Sequence, residues 1–167
     1  MKHLPWLLLV ALVPAPQETH SEALKREVLY SALQRQMLPM LPFGAIVDVV
    51  EMKKEKGTEL VCFLSWQVDL DAPSCAVLKQ TLLAELKSAG IDPAKPDLKA
   101  YAAVAGKVLW HEVYEKEAAS KLAALQTKLD VKTPPMRIGA SISFRLGNES
   151  RCLTTMGSTK EWAFVMS

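Results

Sequence analysis

Three histidines, three cysteines and a scatter of carboxylates are the residues of this 167-residue chain able to make or break bonds, and their spacing decides which chemistry is open to them. His3 and His20 lie near the N-terminus, so His111 is the one histidine deep in the sequence, within Trp110-His111-Glu112-Val113-Tyr114-Glu115. A zinc-binding helix presents imidazoles at i and i+4 with a glutamate between them as base. Here the second position is Glu115, and no Cys-x-x-Cys pair adds ligands, so no metal site is expected. No Gly-x-Ser-x-Gly elbow is present, and Ala105-Gly106-Lys107 lacks the glycine spacing of a phosphate loop. No cofactor is implied. The remaining catalytic candidate is His111, paired with a carboxylate or with the thiol of Cys75 or Cys152.

The cysteines also admit a structural reading. Cys62 alternates in step with Leu60, Leu64 and Trp66, the pattern of a small thiol buried on an apolar strand face. That leaves Cys75 and Cys152 as the candidate disulfide pair if the chain enters an oxidising compartment.

Candidate binding residues come from a different pattern. Arg137, Arg145 and Arg151 are three of the five arginines and surround one expected hairpin. Guanidinium forks receive carboxylates in bidentate fashion, so Arg137, Ser141, Ser143 and Arg145, which share one face of a strand, form a candidate surface for a protein partner. Eight residues of strand separate the two arginines by about 27 Å, too far for both to grip one small ligand. Asn148-Glu149-Ser150 is a formal glycosylation sequon in the turn of the same hairpin.

The N-terminus has the composition of an export signal: Met1-Lys2-His3 is basic, Leu4 to Val13 is apolar apart from Pro5, and Ala15 offers a small residue for cleavage. The run is well short of the roughly 20 apolar residues that span a bilayer, so removal is expected rather than a lasting membrane span. Pro16 fits poorly beside a scissile bond, so the cut is expected between residues 15 and 21. Residues 1–21 then form the signal and 22–167 a single domain, secreted or periplasmic. Losing Lys2 leaves 19 basic and 18 acidic residues of mixed order, a balance that points away from nucleic acid. Hydrophobic residues make up 50% of the chain, enough for a packed core.

Periodicity supplies the elements that must position these residues. Ser21 to Met37 reads as a helix with Leu24, Val28, Leu29 and Leu33 inward, closed by Pro39 and Pro42. Phe43–Met52 and Thr58–Leu70 read as a hairpin across the charged turn Lys53–Gly57. A second helix is expected with Asp71 or Ser74 as N-cap, Leu78, Leu82 and Leu86 on its inner face, and Gly90 as its stop. Asp97 to Leu129 reads as one long helix, broken near Gly106. Its expected inner stripe runs through Leu98, Tyr101, Ala105, Leu109 and Val113, then Ala118, Leu122, Leu125 and Leu129.

After Pro135 the period returns to two: Ile138, Ala140, Ile142 and Phe144 face one way, Arg137, Ser141, Ser143 and Arg145 the other. Arg151–Met156 and Glu161–Met166 follow as strands, the last apolar on both sides and so expected to be covered on both. The result is an α+β two-layer sandwich of order α-ββ-αα-βββ, an antiparallel sheet of about five strands with helices on one face. In element order alone it resembles profilin-like and roadblock-like domains. The function expected is a non-catalytic, exported protein- or envelope-binding module. The competing expectation is a small secreted hydrolase built on His111.

Overall fold

The computed structural model describes residues 18–156 and 161–165; most of the expected signal, residues 1–17, lies outside the described residues. The order is α1 (His20–Met37), β1 (Ile46–Lys54), β2 (Gly57–Asp69), α2 (Ala76–Ser88), α3 (Leu98–Leu109), α4 (Val113–Leu129), β3 (Met136–Leu146), β4 (Glu149–Met156) and β5 (Ala163–Phe164). The strands form one five-stranded sheet in chain order, with helices packed against it, an α+β architecture.

Three of the four strand pairings are antiparallel, and the central one, β2 with β3, is parallel. The fully antiparallel arrangement expected from tight turns fails there for a geometric reason. β2 and β3 are joined through α2, α3 and α4, and a crossover of that length returns the chain to the end where β2 began.

Strand faces follow the alternation read from the sequence. Leu60, Cys62, Leu64 and Trp66 of β2 and Ala140, Ile142 and Phe144 of β3 are buried against Leu29, Leu33, Leu82, Leu86, Tyr101, Ala105 and Leu122 of the helices. Burial of these side chains supplies the main stabilising term, roughly 1.5–3 kcal/mol for each large one.

Helix boundaries depart from expectation where a tertiary contact outweighs a local signal. Thr19 caps α1 in a reciprocal capping box with Glu22, and Leu24 and Val28 stay exposed while Leu29, Leu33 and Met37 are buried. Neither expected N-cap serves α2: a 3-10 turn, Pro73–Cys75, leads into it. Asp71 instead accepts the Gly147 backbone N–H at 2.7 Å and pairs with Lys79 at 2.5 Å, tying the entry of α2 to the β3–β4 turn. Gly90 does end that helix with a positive φ of 70°.

The long helical stretch breaks at Trp110–Glu112, four residues after Gly106. Gly106 stays inside α3 because Trp162 occupies the space beside it; a Cβ there would lie 2.1 Å from the indole Cγ. The break lets Trp110 stack on Trp66 at 5.7 Å, with Tyr114 edge-on to both and Trp162 edge-on to Trp110. Leu98 and Val113, placed in the expected inner stripe, open α3 and α4 and remain exposed. The final strand is a two-residue edge rather than a covered one, with Trp162 and Phe164 turned to the helices and Ala163 exposed.

Candidate functional site

Because the helices pack on one side, the other face of the sheet presents alternate residues of each strand. On β3 these are Arg137, Gly139, Ser141, Ser143 and Arg145, so the four sequence candidates stand in a single row. The parallel register sets Ser65 beside Ser141, Gln67 beside Ser143 and Asp69 beside Arg145. From β4, Thr154 pairs with Ser141 and Cys152 with Ser143. Toward Arg145 the face is therefore a short polar strip of Ser65, Gln67, Ser141, Ser143 and Thr154; toward Arg137 it is apolar, with Phe63 beside Gly139 and the buried Val61 beside Arg137.

Each end of the β3 row is closed by an ion pair with β2. Arg145 Nη2 lies 2.6 Å from Asp69 Oδ2, and Arg137 Nη2 lies 3.0 Å from Glu59 Oε2. The same Glu59 oxygen is 2.5 Å from Lys54 Nζ on β1. The hydrogen bond from Lys54 holds the Glu59 carboxyl below the usual carboxylate range, with Arg137 adding a smaller push the same way. The bond from Arg145 lowers Asp69 likewise, and Asp69 in turn raises the Arg145 guanidinium. Asp71 is lowered by Lys79 and by the Gly147 amide. The guanidinium groups expected to await an acidic partner thus have acids beside them in the fold.

These acid partners were not visible in the sequence, since nothing in it signals that β2 and β3 lie side by side. Arg151, counted with the other arginines, faces the opposite way. It reaches the helix side, with its guanidinium 5.2 Å from the Tyr101 ring centre and 5.4 Å from that of Phe164, and pairs with Glu149. The signal for this was present: Arg151 is two residues from Leu153, so period two puts both on the core face.

The thiols do not form the expected bridge. All three cysteines are free. Cys152 is on the helix-free face, 3.2 Å from Ser141 Oγ, whereas Cys75 sits where the 3-10 turn joins α2 in the helical layer. The sheet comes between them, and a disulfide tolerates Cα separations of only about 4.4–6.8 Å. Cys62 is fully buried, and burial pushes its thiol up to about 12.

His111 is exposed on the bend between α3 and α4, its ring edge-on to Tyr114 at 5.8 Å. The row on β3 and the Cys152 thiol lie across the sheet from that bend. Among the described residues no group of three or more His, Cys, Asp or Glu side chains is gathered in a way that could hold a metal ion. An open groove of about 900 Å³ runs between the start of α1 and the end of α4, with charge of both signs from Glu22, Arg26, Asp130 and Lys132. Among the described residues no helix is long and apolar enough to cross a membrane.

The fold and its clearest surface define an open α+β sandwich whose outer sheet face carries ion pairs and hydroxyls on β2 and β3 and apolar side chains toward β1. Comparison with known proteins found no matching family model, no significant match among curated proteins and none among solved structures.

Proposed function

We propose that this chain is an exported, non-catalytic module that binds a protein or envelope component through the helix-free face of its sheet. The observation that carries the reading is the row on β3: small hydroxyl side chains at Ser141 and Ser143, bracketed by Arg137–Glu59 and Arg145–Asp69. Hydroxyls set beside fixed charge pairs suit a partner that meets them with hydrogen-bonding groups and its own paired charges. Export rests on the basic and then apolar N-terminal sequence.

Substituting Arg137→Gln, Ser141→Asn, Ser143→Asn and Arg145→Gln together tests the reading. The altered protein should keep its circular dichroism and unfolding midpoint close to the parent's and lose a partner that the parent captures from envelope extract. Identical capture by both proteins would remove the basis for the proposal.

A further inference from the structure

β1 is an edge strand: it pairs with β2 and, among the described residues, with nothing on its other side. An unpaired row of backbone N–H and C=O groups is a template for another strand, and natural proteins commonly block it with charge or cover it. The end of β1 is charged, with Lys53 and Lys54. Its middle, however, carries Val50 and Met52 on the helix-free face, 47% and 42% exposed.

The hairpin determines which backbone groups face outward. Lys54 and Gly57 close a two-residue turn, so they form a hydrogen-bonded pair, and bonded pairs alternate from there. Asp48, Val50, Met52 and Lys54 spend their backbone groups on β2. Val49, Glu51 and Lys53 present theirs to the edge.

We propose that a second copy of this chain pairs through β1, antiparallel, with Glu51 at the two-fold axis. In that register the helix-free face sets Asp48 opposite Lys54 of the second copy and Val50 opposite its Met52, each contact occurring twice by symmetry. Sliding by two residues in one direction puts Lys54 against Ile46 and Asp48 against Met52. Sliding in the other puts Lys54 against Val50. Among the β1 residues of the helix-free face, only the register centred on Glu51 matches opposite charges and apolar side chains together; the register centred on Met52 sets Glu51 against Lys53 on the other face but leaves Lys54 against Val50. On the opposite face the two Glu51 carboxylates meet at the axis. Each is held by the Tyr30 hydroxyl, lies 3.4 Å from Arg26 Nε, and has Lys53 of the other copy as its diagonal neighbour. The product is a continuous ten-stranded sheet carrying two copies of the β3 row on one face. The pairing stands independently of what that row binds.

Sedimentation velocity of the full chain across a concentration series tests the pairing. Asp48→Lys alone and Lys54→Glu alone should each weaken the dimer roughly tenfold, because two opposite-charge contacts become like-charge contacts. Asp48→Lys with Lys54→Glu restores the match between copies and should restore the dimer; because Lys54 also pairs with Glu59 of its own chain, the unfolding midpoint of each variant is measured alongside to separate lost pairing from lost folding. Hydrogen exchange provides a second readout, with slowing at the Val49, Glu51 and Lys53 amides that grows with protein concentration. A monomer throughout the series overturns the proposal, as does a dimer indifferent to either single change or left unrestored by the pair. Protection of those amides only when a different protein is added would also overturn it, and would assign the edge to that partner.

Discussion

Asp69 and Arg145 stand opposite one another on neighbouring parallel strands, joined side chain to side chain at 2.6 Å across 76 positions of the chain. The pair closes one end of the row on β3 and also marks the strand adjacency on which the whole sheet depends. With Asp71, two residues on, it links the exit of β2 to the β3–β4 turn.

Acid should loosen both ends of this row. Glu59, Asp69 and Asp71 all titrate below their ordinary range in the folded protein. A carboxyl with a depressed folded pKa contributes stability that is present above its unfolded pKa and lost as pH falls through the folded value. Urea midpoints should therefore drop as pH is lowered from about 6 to about 3. A Glu59→Gln, Asp69→Asn, Asp71→Asn protein should show a shallower drop; an equally steep one would mean that other carboxyls carry the acid response.

Gly106→Ala should destabilise, although alanine is the better helix former by roughly 1 kcal/mol. The new methyl meets the Trp162 indole at 2.1 Å, and overpacking of a rigid ring costs about 1–3 kcal/mol. A lower midpoint with altered tryptophan fluorescence is expected. A rise in stability would show that Trp162 does not pack on α3 as described.

The thiols give a chemical check on the corrected cysteine assignment. Alkylation after unfolding, without reductant, should add three labels; one label would reveal a disulfide. In the folded protein Cys62 should resist labelling near pH 8, since burial keeps its thiol protonated.

Under the export proposal, the Thr19 cap limits where the chain would be cut. Its side chain accepts the Glu22 N–H, and removing such a cap costs about 1 kcal/mol. Processing is accordingly expected at residues 15–18, leaving the cap in place, and N-terminal sequencing of the exported protein would show it. A mature chain beginning at Glu22 would lose the cap and place the cut at the far end of the expected window.

Period-two alternation made β2 and β3 legible down to which residues face the core, because a half-buried strand imposes that pattern directly on side-chain polarity. Leu82 and Leu86 were legible in the same way, as an inner helix stripe. What was not legible are choices made by distant contacts. The glycine read as a helix break is a seat for Trp162, and the aspartate read as a helix cap belongs to Lys79 and Gly147. The arginines read as open to a partner are held by β2 carboxylates, since strand adjacency across three helices leaves no local trace. The candidate row itself was visible; its electrostatic state was not.

The most direct test of the binding account is capture from envelope extract with three baits: the parent, the Arg137, Ser141, Ser143 and Arg145 variant, and a control with four exposed helix residues changed, Lys87, Ser88, Lys116 and Lys128. The account predicts a partner held by parent and control and absent from the β3 variant. Retention of every captured protein by the β3 variant, with its fold intact, would contradict it.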